Sequence, residues 1–176
     1  IALQPAKMVQ RVGHRTRGMF NQDDKFHPQD AVPAAQVAIV RCEEYGESDV
    51  FDAVGKGLSL LGGADRFVRS GENILLKVNL LAGKAPEKAV TTHPSVLEAV
   101  ARHLGACGAH ISYGDSPGFG SPENVARKAG LEPVAEKLKL SFADFSTGAT
   151  VSFPGGHLIK QFTIAQGVMA CNGLVS

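Results

Sequence analysis

An apolar run of strand length and a glycine-rich loop contain residues suited to binding and acid–base chemistry. The run ILLKVNLL at 74–81 contains Lys77 and Asn79, and the loop YGDSPGFGS at 113–121 contains Asp115. Because side chains alternate along a strand, Lys77 and Asn79 share one face. An ammonium inside a central apolar strand needs an anionic partner, since burial without one is strongly unfavourable. The alternative is an edge strand from which Lys77 reaches water.

The glycine-rich loop has the composition of an anion-binding loop. Its backbone N–H groups and the hydroxyls of Ser116 and Ser121 can face an anion beside the N-terminus of the next helix. The spacing of Gly114, Gly118 and Gly120 fits neither the P-loop nor the dinucleotide fingerprint. A purely structural turn in which Ser121 caps a helix is the alternative. The carboxylate at the end of the strand favours function, because it needs a cation, a donor or water.

A helix entrance between these segments adds Thr92 and His93, in the run TTHP. Their side chains can cap the helix or face a ligand. We predict that Lys77 neutralises an anion and that His93 and Asp115 form an acid–base pair. For His93 the alternative is a structural role in the turn. The candidate catalytic residues are Lys77, His93 and Asp115, and the candidate cofactor-binding residues are Asn79, Thr92, Gly114, Ser116, Gly118 and Ser121.

Composition narrows the classes of protein. The chain has 176 residues, 44% of them hydrophobic, and 18 Lys and Arg against 17 Asp and Glu, which predicts a folded domain without a nucleic-acid partner. Cys42, Cys107 and Cys171 form no cluster-binding or zinc motif, so we predict no metal site and no iron–sulfur ligands in this chain. The sequence contains no run of about 20 apolar residues, so it predicts no membrane span. We expect a cytoplasmic location, with export left open because the chain begins with Ile.

Alternating strand and helix patterns predict the architecture. Residues 1–35 lack periodicity and are predicted to form an arm, and 36–176 a partial domain. The segment PSVLEAVARHLGACG predicts a helix from its apolar stripe, and DVFDAVGKGLSLLGG predicts another with Ser48 as N-cap. We therefore predict an α/β three-layer sandwich with a mainly parallel sheet, whose ligands lie beyond the carboxyl ends of its strands.

The order of these motifs resembles a known family. The series VAIVRC, LLGG, ILLKVNLL, KAVTTHP and YGDSPGFGS is similar to the domain-of-unknown-function family 362, whose members are often described as iron–sulfur cluster-binding. The resemblance covers roughly residues 36–176. Family members continue past the position of Ser176, so it implies an N-terminal portion of the family domain, truncated at the C-terminus. Val78 and Asn172 stand where members commonly have Pro and Asp.

Motifs and resemblance together lead to two hypotheses about function. The first is a domain that binds a small anionic ligand or cofactor of unpredicted identity at its strand-end loops, within a redox-associated enzyme. The second is a non-catalytic module that docks a ferredoxin-type domain or another redox partner through the same loops. The first requires Lys77 and Asp115 to lie on the same side of the sheet, whereas an exposed apolar surface beside the loops favours the second.

Overall fold

A parallel sheet built from the predicted apolar runs lies at the centre of the fold. The computed structural model describes residues 2–3, 10–11 and 37–176, so most of the predicted arm at 1–35 lies outside the described residues. The strands are β1 (Ala2–Leu3), β2 (Gln10–Arg11), β3 (Ala38–Ile39), β4 (Asn73–Lys77), β5 (His110–Gly114), β6 (Ser141–Phe142), β7 (Gly148–Ser152), β8 (Gln161–Ala165) and β9 (Gly173–Val175).

The order of the strands places Lys77 in the middle of the sheet. Among the described residues, β2, β9, β4, β5 and β6 form one sheet in that order. Strands β9, β4, β5 and β6 are parallel, and β2 runs antiparallel to β9. Because β4 has a neighbour on each side, the edge-strand alternative for Lys77 is wrong, and its register partner in β5 is Gly114.

Helices cover the sheet. They are α1 (Glu47–Leu60), α2 (Pro94–Gly105), α3 (Pro122–Lys128), α4 (Glu132–Leu138) and the single turn α5 (Gln166–Met169). Ile74 and Leu76 of β4 pack in the cluster formed with α2, α3 and α4. Leu75 points to the opposite face, where it packs with Cys171 and Ala143. Both faces of β4 are therefore buried, as its continuous apolar sequence predicts, and the three-layer α/β sandwich is confirmed.

The helix boundaries follow the predicted pattern except at one cap. Helix α1 starts at Glu47 after Gly46, so the prediction of Ser48 as N-cap is wrong. Glu47 and Asp49 occupy the first turn, where carboxylates interact favourably with the helix dipole. The helix ends before Gly62, whose φ of +100° favours glycine.

The strands are shorter than the apolar runs that predict them. β4 ends at Lys77, because the Val78 N–H turns back to donate to the Leu76 carbonyl, 3.1 Å away. One long element was predicted only in part, from the turn run FPGGH at 153–157. Strands β7 and β8 form an antiparallel hairpin over 148–165, with the turn FPGGH between them.

Candidate functional site

The side chains of Lys77 and Asp115 form an ion pair at the carboxyl ends of β4 and β5. Lys77 Nζ lies 2.8 Å from Asp115 Oδ1. The Lys77 side chain is 39% exposed, whereas that of Asp115 is only 9% exposed. The two residues meet because β4 and β5 are parallel neighbours, so their last residues lie at the same edge of the sheet. The requirement that they share one side of the sheet is met.

The second oxygen of Asp115 is also partnered. Oδ2 accepts a hydrogen bond of 3.0 Å from the backbone N–H of Leu80, within buried surroundings. Two partners, one of them charged, offset the cost of burying this carboxylate. Asp115 therefore fixes both the Lys77 ammonium and the backbone turn that follows β4. Sequence reasoning missed the role of Leu80, since nothing in an apolar side chain marks its backbone as a donor.

Asn79 and Thr92 contact each other and close the loop between β4 and α2. The Asn79 N–H donates to Thr92 Oγ1 at 2.8 Å, and the Thr92 N–H donates to the Asn79 carbonyl at 3.1 Å. The Asn79 amide also donates to the Val90 carbonyl over 3.3 Å. Asn79 is exposed. These two candidate binding residues thus shape the loop. The hydrogen bond from the Asn79 side-chain amide is long, so this side chain is weakly held.

The loop after β5 is packed against the loop after β4. The Gly118 N–H donates to the Leu81 carbonyl at 3.2 Å, so this expected anion donor is already bonded. Ser121 caps α3, its hydroxyl accepting from the Asn124 N–H at 3.4 Å. Ser116 is exposed, and no hydrogen bond to it is present among residues 37–176. In this loop, the hydroxyl of Ser116 is therefore the one that is free to contact a ligand.

Gly114 is required by close packing. A Cβ on it would lie 3.0 Å from the ring of Phe145 and 3.2 Å from the Ala143 carbonyl. Gly114 therefore lets the segment after β6 approach the end of β5, next to the ion pair. No local pattern marks Phe145, because it reaches this position from a distant segment.

His93 caps α2 and contacts the side chains of Ser95 and Tyr45. Its Nδ1 lies 2.8 Å from Ser95 Oγ and accepts from the Ser95 N–H at 3.3 Å. The ring stacks on Tyr45, with centroids 4.2 Å apart. Burial lowers the pKa of His93, and the Glu87 carboxylate opposes this shift. Within residues 37–176 the partners of His93 do not include Asp115, so their acid–base pairing stays a prediction.

Leu81 and Phe119 form an apolar patch beside the ion pair. Their side chains are 55% and 80% exposed, and Gly118, the residue before Phe119, is hydrogen-bonded to Leu81. We call these two residues the loop patch. Exposed apolar pairs on adjacent loops can form part of a protein interface.

Groups of metal-ligating side chains and membrane-spanning helices are both absent from the described part of the chain. Within it, no three His, Cys, Asp or Glu side chains are grouped so that they could hold a metal ion. No helix there has the length and apolar character needed to cross a bilayer.

An α/β sandwich with a lysine–aspartate pair at its strand ends is the class that fold and site define. A profile of the family Domain of unknown function (DUF362) matches residues 74–176, which is more than half of the chain and includes the whole ion pair. The chain belongs to this family, as its motifs predict. The matched region begins inside β4, later than the predicted start at residue 36.

A curated relative shares part of this sequence. The chain is 36% identical over 124 residues to the "Thylakoid-associated protein sll1697" of Synechocystis sp.. The alignment covers 69% of this chain and 39% of the relative, so the chain spans about two fifths of the relative's length. No solved structure matches the chain.

Proposed function

We propose that the strand ends of β4 and β5 bind a small anionic ligand or cofactor, with Lys77 as the cation that receives it. The observation that carries this proposal is the ion pair itself. A buried carboxylate holds a lysine at the carboxyl edge of a central parallel strand while 39% of that lysine side chain stays exposed. Ligands of open α/β sheets bind at this edge.

The ammonium retains the capacity to bind a further group. A lysine has three N–H donors, and Asp115 accepts from one of them. The exposed part of Lys77 allows an anion to approach the others. The free hydroxyl of Ser116 and the weakly held amide of Asn79 supply neutral donors on the flanking loops.

The chemistry beyond binding is a further part of the proposal. Burial favours the neutral imidazole of His93, in which one nitrogen accepts a hydrogen bond and the other donates one. Because Nδ1 accepts from the Ser95 N–H, the proton of the neutral ring is on Nε2, and Nε2 would act on a ligand as a hydrogen-bond donor. The resemblance to a family often described as iron–sulfur cluster-binding motivates a redox-associated enzyme as the setting.

The test is a titration of the protein with inorganic phosphate and with citrate, followed by NMR at the backbone amides of Leu80 and Asp115. We expect saturable shifts in the wild type and, because a charge-assisted hydrogen bond is lost, about tenfold weaker binding in Lys77→Met. Lys56→Met is the control, since Lys56 is exposed on α1. Equal affinity of Lys77→Met and the wild type for both anions would refute the role of Lys77.

A second candidate function is supported by the loop patch. Leu81 and Phe119 present apolar surface next to the ion pair, as expected for a module that docks a ferredoxin-type domain or another redox partner. The partner used in the test is a plant-type [2Fe–2S] ferredoxin. Docking predicts that Leu81→Ser with Phe119→Ser weakens ferredoxin binding while leaving the phosphate titration unchanged. The opposite result, loss of phosphate binding alone, would assign the patch to the anion site.

A further inference from the structure

The β7–β8 hairpin ends in a cluster of exposed apolar side chains. Strand β7 pairs with β8 from Gly148↔Ala165 to Ser152↔Gln161. We call the end of this hairpin, residues 153–162, the hairpin tip. Its large apolar side chains have exposed fractions of 96% for Leu158, 55% for Ile159, 46% for Phe153 and 42% for Phe162.

The base of the hairpin is anchored, and its tip extends away from that anchor. The base packs on α5, and the Gln166 N–H at the start of that helix donates to the Thr147 carbonyl at 2.9 Å. The tip side chains are not members of the buried clusters described for residues 37–176. A two-stranded hairpin is marginally stable on its own, so a covering surface at the tip adds stability.

The turn satisfies part of its own backbone. The Phe153 N–H donates to the Lys160 carbonyl at 2.7 Å, and the Gly156 N–H donates to the Phe153 carbonyl at 3.0 Å. The Pro154 carbonyl accepts from Lys160 Nζ at 2.9 Å. Gly156 is needed because a Cβ there would lie 2.0 Å from the Ile159 carbonyl oxygen. Internal pairing of polar backbone groups is a requirement for any segment that enters a lipid environment.

The charge of this region has one sign. Residues 145–176 contain no Asp or Glu. Their basic residues are Lys160 and His157, both at the tip. A lysine beside exposed apolar side chains is favourable at an anionic lipid surface, where its stem lies against the acyl chains and its ammonium meets the headgroups.

We propose that the hairpin tip inserts into the interface of an anionic lipid bilayer and holds the domain on the membrane surface. A bilayer fits the shape of this element better than a flat protein surface does. The apolar side chains cluster at the turn end of the hairpin, opposite the end that is followed by α5, with the basic groups among them. The hairpin tip and the strand-end loops are different segments of the chain.

The absence of tryptophan from the chain makes insertion directly measurable. We would introduce Leu158→Trp and record its emission with vesicles of pure phosphatidylcholine and with vesicles containing one part phosphatidylglycerol to about three parts phosphatidylcholine. Insertion predicts a blue shift with the anionic vesicles, together with quenching by lipids brominated near the headgroup end of the chain. It also predicts co-flotation of the wild-type protein with these vesicles.

Two substitutions separate the apolar and electrostatic parts of the contact. Leu158→Asp with Ile159→Asp should reduce partitioning into anionic vesicles by about tenfold or more. Lys160→Gln should reduce it less and make it less sensitive to salt. Leu60→Asp is the matched control, because Leu60 is also an exposed leucine, 63% exposed at the end of α1, and this variant should partition like the wild type.

Each result decides the proposal. Thermal unfolding of every variant establishes that loss of binding is not loss of folding. A blue shift that needs no vesicles and grows with protein concentration would replace the bilayer by a second copy of the chain. Emission unchanged by vesicles and by concentration, or partitioning equal in the double aspartate variant and the wild type, would overturn the proposal.

Discussion

At the scale of single residues, the pair of Lys77 and Asp115 determines the properties of the strand-end site. The buried member is the acid, which accepts hydrogen bonds with both oxygens, while the base remains partly in water. The same position in an edge strand would need no such pair. The sequence run ILLKVNLL already requires a partner for Lys77 once the strand is central, so this contact is the part of the site that residue types predict best.

Replacing Asp115 with Asn tests this pair. The amide oxygen can still accept from the Leu80 N–H, but the charge-assisted bond to Lys77 is lost. We expect a loss of about 1–3 kcal/mol in the free energy of unfolding, measured by urea denaturation. The control is Asp52→Asn, an exposed position on α1. Equal stability of Asp115→Asn and the wild type would show that the pair contributes nothing to the fold.

A second residue-scale prediction concerns pH. Burial lowers the pKa of His93 below its ordinary value of 6.5 in the folded protein, so the unfolded chain binds a proton more readily. The contribution of His93 to stability is therefore full above 6.5 and is lost as the pH falls through that value towards the lower folded pKa. The difference in unfolding free energy between wild type and His93→Gln should shift against the wild type between about pH 7.5 and 5.5. A difference independent of pH would contradict the shift.

At the scale of elements, the strong local patterns were predictable and the weak ones were not. The apolar stripe of α2 and the glycines after α1 mark those helices in the sequence, and Ser121 caps α3, as the structural alternative for its loop predicts. The pairing of the hairpin was missed because β7 consists largely of small and hydroxylated residues, whose alternation is shallow. Its strands are defined by pairing with each other, which a local pattern does not show.

Gly114→Ala tests how closely the elements approach one another at the end of β5. The added methyl would crowd the Phe145 ring and the Ala143 carbonyl, so the free energy of unfolding should fall by about 1–3 kcal/mol. Gly155→Ala is the control, because a Cβ at that position meets no atom within 4 Å. Chemical denaturation of both variants is the measurement. Similar effects at the two positions would remove the packing explanation for Gly114.

At the scale of the whole molecule, a cluster of charged side chains connects helices α1, α2 and α4. Glu98 of α2 is buried and accepts from Lys137 Nζ of α4 at 2.7 Å. The same ammonium donates to Glu47 of α1 at 2.9 Å, and this contact lowers the pKa of Glu47. The three helices are far apart in sequence, so no local pattern indicates that these side chains meet. The predicted helices were thus correct in kind, whereas their polar contacts required the structure.

Glu98→Gln should weaken the association of these helices. The acceptor of the Lys137 hydrogen bond is then a neutral amide instead of a buried carboxylate. This change predicts a loss of about 1–3 kcal/mol in the free energy of unfolding. Glu47→Gln is the comparison, and its effect should be smaller because that carboxylate is exposed. Urea denaturation of both variants decides the order. A larger effect for Glu47 than for Glu98 would assign the stabilising role to the surface pair.

The structure of the ion pair has a consequence for selectivity. Asp115 already accepts from one N–H of the Lys77 ammonium and offsets its charge, so the protein carries its own competitor for an anionic ligand. A singly charged anion with one binding oxygen gains little by displacing it. An anion with several charged oxygens can share Lys77 with Asp115 and reach the neighbouring loops at the same time. If the strand ends bind an anion as proposed, the pair would favour polyvalent oxyanions over chloride and weak monoanions.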